Sequence, residues 1–311
     1  MLTILFSAAP KDWPDYAERL PAALATAGID ARVVTETDAP GAVDYIVYAP
    51  SGRLRDFTPF TRARGVLSLW AGVETITGNA TLTQPLVRMV DPVGLTEGMV
   101  EWVAGHALRH HLGMDRHILA APGAWDQDCP PLARARPVAV LGLGELGAAC
   151  AQALAALNFP VRGWSRRPRD VAGVACHHGD DGLGAALAGA EIVVLLLPLT
   201  PDTENLMDAA RLALPAPGAV LLNPGRGALI DDAALLAALD TGQIGHATLD
   251  VFRVEPLPAD HPFWSHPRVT VTPHVASTTR PETAAPRIAA SVAEMEAGRV
   301  PAGLVDRSRG Y

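Results

Sequence analysis

The chain has 311 residues, close to half of them apolar, with 25 basic against 33 acidic side chains and a formal net charge of -8. That length predicts two domains, each large enough for its own core. The acidic balance argues against nucleic acid or an anionic membrane surface as partner, because both demand a cationic face.

Lys11 is the single lysine, which leaves almost no room for chemistry built on a phosphate-loop or Schiff-base lysine. The apolar residues come in short runs broken by glycine, proline and charge, and none approaches the ~20 residues that cross a bilayer. The start, Met1 to Ser7, lacks a basic n-region and reads as a buried first strand, so no export is expected. Cys129, Cys150 and Cys176 show no paired spacing. This argues against a disulfide framework or a Cys-based zinc site and fits a reducing cytoplasm; no metal is expected.

Along the chain, short apolar runs alternate with helix-like segments. Strands are expected near residues 2–6, 31–35, 45–48, 66–70 and 86–90, with a helix over 13–27. Such alternation implies a parallel sheet with helices on its faces. A long amphipathic stretch, about Thr96 to Leu112, reads as the bridge to a second domain and leads into the proline-rich loop 121–131. A second alternating series starts at Val138, with strands near 138–141, 161–164, 191–197, 218–222 and 246–251. Residues 280–298 again look helical, and the tail from Pro301 has no obvious element. The expected fold class is α/β, with two doubly wound parallel sheets: a Rossmann cofactor domain over residues 96–280, and a flavodoxin-like substrate domain made of residues 1–95 and 281–311.

The strand Val138 to Leu141 runs into Gly142-Leu143-Gly144-Glu145-Leu146-Gly147, and an Ala-rich helix runs out of it. Three glycines at this spacing are a weak signal alone. Between a strand and a helix, however, they let backbone approach a pyrophosphate at the helix N-terminus. Gly142, Gly144, Leu146 and Gly147 are therefore candidate cofactor residues. The next strand ends in Ser165-Arg166-Arg167-Pro168, with no acid placed to hold the 2'-hydroxyl of NAD. A hydroxyl and two guanidiniums could instead surround a 2'-phosphate with charge-assisted bonds, each worth roughly 1.5 to 3 kcal/mol. NADPH is the expected cofactor, with NADH possible. The alternative, a solvated basic loop with Asp170 reaching back to the ribose, stays open.

Three further motifs follow: Asn223-Pro-Gly-Arg226-Gly227, Asp250-Val-Phe-Arg-Val-Glu255-Pro256, and Thr272-Pro-His274-Val-Ala276. Singly, an Arg, a Glu and a His are most often solvated or structural. Here each follows an apolar strand, and ligands bind at the carboxyl ends of such strands. A guanidinium, a carboxylate and an imidazole are what reducing a 2-keto acid requires. His274 would donate the proton, with an ordinary pKa of about 6.5 near working pH. Glu255 would favour its charged form, and Arg226 would hold the substrate carboxylate with a planar fork of donors. In this picture domain closure excludes water before the hydride moves.

With these motifs the chain resembles the D-2-hydroxyacid dehydrogenase family, and within it is most similar to the glyoxylate/hydroxypyruvate reductase A group. The resemblance covers essentially the whole sequence, including the ending Val305-Asp-Arg-Ser-Arg-Gly-Tyr311. It implies that Arg226, Glu255 and His274 are the substrate arginine, the glutamate and the acid/base histidine. Asp250 would meet the nicotinamide carboxamide, and Leu197-Pro198 would line the cofactor. In the first domain Leu69-Trp70-Ala71-Gly72-Val73-Glu74 matches the loop whose backbone N–H groups receive the substrate carboxylate.

Departures from the group's commoner residues are Trp70, Glu74 and Pro224-Gly225. Trp70 either narrows the pocket toward two- or three-carbon acids or packs between domains. A cytoplasmic homodimer reducing glyoxylate to glycolate, or hydroxypyruvate to glycerate, is the implied protein. A dehydrogenase for a larger acid, and a dinucleotide-sensing binding protein on the same fold, are the rivals.

Overall fold

The structure is a computed structural model that describes residues 1–307; Ser308 to Tyr311, the end of the carboxyl-terminal motif, lie outside the described residues. The chain divides into two compact units, one formed by Met1–Leu95 with the segment from Thr278 onward, the other by Thr96–Ser277.

In the first unit, strands β1 (Leu2–Ser7), β2 (Ala31–Val34), β3 (Tyr45–Tyr48), β4 (Gly65–Ser68) and β5 (Leu86–Val87) form a sheet in the order β2-β1-β3-β4-β5. Every pairing is parallel, and the order is that of a flavodoxin-like doubly wound sheet. Parallel strands need both faces covered, so they read as continuous apolar runs. Tyr45–Tyr48 and Gly65–Ser68 are buried at every position.

One face packs on α1 (Trp13–Tyr16), α2 (Arg19–Thr26) and, further on, α10 (Pro281–Glu296), through Leu20, Leu24, Ala285, Ile288 and Val292. The other is filled by Phe57, Phe60, Ile76 and Leu82, with Ile76 on the short α3 (Glu74–Thr77). Burying each such side chain contributes about 1.5–3 kcal/mol. The single helix expected over 13–27 is two, because Pro21 has no N–H to offer the Ala17 carbonyl and the helical ladder restarts there. The tail, which shows no element in the sequence, lies along β5: Arg88 N–H donates to the Gly303 carbonyl at 2.9 Å, and Val305 N–H to that of Leu86 at 2.9 Å. It thereby covers an otherwise open sheet edge.

The second unit opens with α4 (Gly94–His111), whose first two residues belong to the first unit, and α5 (Met114–Ile118). Its strands are β6 (Val138–Leu141), β7 (Val161–Ser165), β8 (Val174–His178), β9 (Ile192–Leu195), β10 (Ala219–Asn223), β11 (Ile244–Leu249) and β12 (Val269–Val271). They pair in the order β12-β11-β10-β9-β6-β7-β8, all parallel. The winding direction reverses between β6 and β9, which makes their carboxyl ends the switch point where ligands settle in such sheets.

Helix α6 (Glu145–Ala156) covers one face with α4 through Val103, Ala107, Ala151 and Leu154. Helices α7 (Gly179–Leu187), α8 (Ala209–Leu212) and α9 (Asp232–Thr241) cover the other through Leu183, Leu212, Leu235 and Leu239. Strand β8 is absent from the sequence reading because, as an edge strand, none of its residues is fully buried and its apolar pattern is weak. Among the described residues no helix is long and apolar enough to cross a membrane.

The last turn of α4 docks on this sheet through two histidines. His110 Nε2 shares a hydrogen bond with Thr248 Oγ1 at 2.9 Å, and His246 Nε2 one with Thr270 Oγ1 at 2.8 Å. The two rings lie 4.7 Å apart. Burial, reinforced by His246 and Arg109, lowers the pKa of His110 to about 3; burial, with Arg109, lowers that of His246 to about 4.

Both rings are thus neutral in the folded chain, whereas the unfolded chain takes up protons near pH 6.5. Their stabilising effect is complete above pH 6.5 and is lost as pH falls toward about 4 for His246 and about 3 for His110, because the unfolded state then binds more protons. The urea midpoint is expected to drop between pH 7 and pH 5, with His110 accounting for roughly 1–2 kcal/mol. His110→Gln with His246→Gln should flatten that slope. An unchanged slope in the double variant would assign the acid sensitivity to other groups.

Candidate active site

The residues singled out in the second unit all stand at the carboxyl ends of β6, β7, β9, β10, β11 and β12. Gly142 closes the first of these turns with φ +105°, and a Cβ there would fall 2.4 Å from the Leu196 carbonyl oxygen. A Cβ on Gly147 would fall 1.7 Å from the Gly142 carbonyl oxygen, so helix α6 can start this close to the turn only with glycine. Gly144, the N-cap, has open space on its Cβ side and makes no side-chain cap hydrogen bond. A backbone cradle with one glycine facing open space, at the start of a 12-residue helix, fits a pyrophosphate. Leu146 is half-buried in the first turn of α6, packed on the core beneath.

At the end of β7 the Ser165 hydroxyl donates to the Arg167 carbonyl at 2.7 Å, which curls the loop. Arg166 and Arg167 are exposed, as is Asp170. Arg166 lies 3.8 Å from Asp202 in an exposed ion pair. Such pairs contribute less than about 1 kcal/mol, so a phosphate dianion can displace it. Beyond β9, Leu197 and Pro198 are half-buried, and Thr203 Oγ1 donates to the Pro198 carbonyl at 2.7 Å. The strand itself stops at Leu195, and Leu196, which no motif marked, is the residue against which Gly142 closes.

The loop carrying Arg226 is shaped by Asn223, fully buried at the end of β10. Its amide donates to the Arg226 carbonyl at 2.9 Å and accepts from Gly225 N–H at 3.1 Å. A Cβ on Gly225 would fall 2.8 Å from the Leu195 carbonyl oxygen, which accounts for glycine before the arginine. The Arg226 side chain is half-buried, with Nη1 donating to the Gly225 carbonyl at 2.6 Å.

His274 and Glu255 meet directly: Nδ1 lies 2.7 Å from Oε2. The other carboxylate oxygen, Oε1, accepts from Phe252 N–H at 2.9 Å. With Nδ1 engaged, Nε2 is the ring nitrogen left to exchange a proton with a ligand. The imidazole is 52 % exposed, so a ligand can reach it. His274 sits at φ +54°, a conformation that costs about 1 kcal/mol for a residue with a Cβ.

Asp250 holds it there. This buried carboxylate accepts from Thr272 Oγ1 at 2.5 Å and Val275 N–H at 2.9 Å through one oxygen, and from Ala276 N–H at 2.9 Å through the other. His274 N–H donates to the Asp250 carbonyl at 2.8 Å. Both carboxylate oxygens therefore anchor the histidine loop, a use that the Asp250 motif does not disclose.

In the first unit, Trp70, Ala71 and Gly72 follow β4. The strand ends at Ser68 because that buried hydroxyl brackets the loop, accepting from Trp70 N–H at 2.9 Å and donating to the Trp70 carbonyl at 3.0 Å. Thr279 Oγ1 donates to the Leu69 carbonyl at 2.6 Å, and Met89 N–H to that of Trp70 at 3.0 Å. The Trp70 side chain is exposed, while Ala71 and Gly72 are half-buried. Ser68 and Thr279 carry no sequence signal, since their partners are brought close only by folding.

Residues 104–276 match the model of the D-isomer specific 2-hydroxyacid dehydrogenase NAD-binding domain. A glyoxylate/hydroxypyruvate reductase A of Serratia proteamaculans (strain 568) is 41 % identical over 258 residues, 80 % of this chain and 82 % of that protein. A D-isomer specific 2-hydroxyacid dehydrogenase from Xanthobacter autotrophicus Py2, solved with NADPH and MES, superposes with a TM-score of 0.92. It is 41 % identical, over 99 % of both chains. An NADPH-dependent glyoxylate/hydroxypyruvate reductase from Sinorhizobium meliloti, solved with NADP and sulfate, has a TM-score of 0.87 and 34 % identity over the whole of both chains. With a glycine cradle at the switch point and a histidine–glutamate pair at the same, carboxyl end of the sheet, this chain belongs to the D-isomer specific 2-hydroxyacid dehydrogenase family of NAD(P)-dependent oxidoreductases.

Proposed function

We propose that the chain, acting as a cytoplasmic homodimer, reduces a small 2-keto acid, glyoxylate or hydroxypyruvate, to the D-2-hydroxy acid with NADPH. The observation that carries this reading is the 2.7 Å contact between His274 Nδ1 and Glu255 Oε2 at the end of a sheet that also bears the glycine cradle. NADPH, when bound, supplies the hydride. The residues of the chain do the rest: Arg226 holds the keto acid by its carboxylate, and His274 delivers a proton from Nε2 to the carbonyl oxygen as negative charge develops there. Glu255 fixes the ring tautomer and stabilises the imidazolium, while Asp250 keeps the ring in its positive-φ position.

The reading agrees with what the Serratia and Sinorhizobium relatives are named for, and with the NADPH and NADP carried by the two solved relatives. Gly142, Gly144, Leu146 and Gly147 would meet the pyrophosphate, Leu197 and Pro198 would line the nucleotide, and Ser165, Arg166 and Arg167 would take the 2'-phosphate. Trp70, Ala71 and Gly72 would receive the substrate carboxylate with backbone N–H groups.

Absorbance at the nicotinamide band, with glyoxylate, hydroxypyruvate, pyruvate and bulkier keto acids, tests the activity. Turnover confined to bulky acids would favour the larger-acid dehydrogenase, and cofactor binding without turnover would favour a sensing protein. Arg166→Ala with Arg167→Ala is expected to lower kcat/KM with NADPH by about 10²- to 10⁴-fold, at roughly 1.5–3 kcal/mol for the charged hydrogen bond of each arginine, while sparing NADH. Equal losses with both dinucleotides would remove these arginines from 2'-phosphate recognition.

A further inference from the structure

Glu255 lies in a loop between β11 and the short turn at Pro262–Trp264, and its Oε1 is satisfied by Phe252 N–H of that same loop. What ties the loop to the rest of the second unit includes Arg253, two residues earlier. Its guanidinium donates to Asn205 Oδ1 and to the Ile230 carbonyl, and lies 3.6 Å from Glu204 Oε1 and 3.5 Å from Asp232 Oδ2. Two separate segments thus converge on one side chain that is itself 31 % exposed.

Those segments are already paired with each other: Asn205 N–H donates to the Ala228 carbonyl at 2.8 Å, and Met207 N–H to that of Leu229 at 2.9 Å. Burial raises the pKa of the Asp232 carboxyl, with Arg253 the foremost group opposing that rise. The fit leaves no slack, since a Cβ on Gly227 would fall 2.1 Å from the Phe252 carbonyl carbon and 2.5 Å from the Arg253 nitrogen.

We infer that Arg253 is a positioning residue for the reaction: by clamping the Phe252–Glu255 loop to the 204–205 and 230–232 segments it sets where the Glu255 carboxylate meets His274. The inference rests on the acid/base reading of that pair. A planar fork with donors on several edges can hold two neutral oxygens and two carboxylates at once, which an ammonium cannot reproduce. A glutamate displaced by about an ångström would leave the imidazole unsupported, and losses on the order of 100-fold follow from misplacements of that size.

The test compares Arg253→Met and Arg253→Lys in the parent chain and in a Glu255→Gln background, with NADPH affinity followed by tryptophan fluorescence. In the parent, Arg253→Met is expected to lower kcat for glyoxylate reduction about 10- to 100-fold, with NADPH affinity within twofold; Arg253→Lys should recover only part of the loss. In the Glu255→Gln background the same substitutions should cost less than about threefold, because the group through which Arg253 acts is gone. A residue that merely stabilised the fold would lower both backgrounds by one factor, and that result overturns the inference, as does parental kcat in Arg253→Met. Should Arg253→Met yield no folded protein, Arg253→Lys carries the same comparison. Full turnover in Glu255→Gln alone would instead overturn the acid/base reading, which separates the two failures.

Discussion

Replacing His274 with alanine is expected to lower kcat for glyoxylate reduction by about 10²- to 10⁴-fold, the range that positioned proton transfer contributes. The expectation follows from geometry: Nδ1 is committed to Glu255 at 2.7 Å, so Nε2 is the ring nitrogen left to exchange a proton with a ligand, and alanine removes it. Affinity for NADPH should stay within about twofold, because the glycine cradle proposed for the pyrophosphate lies at the end of β6 and the histidine at the end of β12, separated in the sheet by β11, β10 and β9. His274→Gln is a useful companion, since it keeps a polar group of similar reach but removes the imidazole that can pass on a proton. Steady-state turnover and nucleotide titration of the same folded sample check both halves. Undiminished turnover in either variant would take the histidine out of the reaction.

Replacing Arg226 with alanine is expected to lower kcat/KM for glyoxylate by about 10²- to 10⁴-fold. Two charge-assisted hydrogen bonds to a carboxylate, at roughly 1.5–3 kcal/mol each, set that range. The guanidinium is already braced against its own backbone, with Nη1 on the Gly225 carbonyl at 2.6 Å and Asn223 fixing the turn beneath it. Little rotamer entropy then remains to be lost when a carboxylate arrives. Arg226→Lys should rescue poorly, because a point charge cannot replace a two-pronged donor. A kcat/KM for glyoxylate unaltered in Arg226→Ala would contradict the assignment, whatever the effect on stability.

Much of the fold is legible along the chain because parallel strands buried on both faces are continuous apolar runs. Val138–Leu141, Tyr45–Tyr48 and Ile192–Leu195 are each buried at every position and stand out without a partner in view. Strand β8 is not legible, because Val174–His178 packs one side of an edge and carries polar residues. The break in the first helix is visible only once Pro21 is read for the N–H it lacks. The pairing of the tail with β5 has no local signature, since a strand edge accepts backbone, which every residue has.

The candidate site divides in the same way. Gly142, Gly144 and Gly147, and the turns bearing Arg226, Glu255 and His274, announce themselves because each is a short run at the end of an apolar strand. Asn223, Thr272, Ser68, Thr279 and Arg253 do not, because each acts on a partner that only the folded chain brings near. Thr279 meets Leu69 across 210 positions of sequence, and Arg253 meets Asn205 across 48.

By itself, then, the sequence determined the class of fold and most of its strands, and nominated the side chains for the chemistry, since burial pattern, glycine spacing and ionisable groups are local properties. Only the tertiary structure decided that Glu255 touches His274, that Asp250 spends both oxygens on the histidine loop, and that Arg253 clamps the loop of Glu255. Those are matters of distance between remote segments, and hydrogen bonds and ion pairs decay over a few ångströms, so no reading of one segment at a time can contain them.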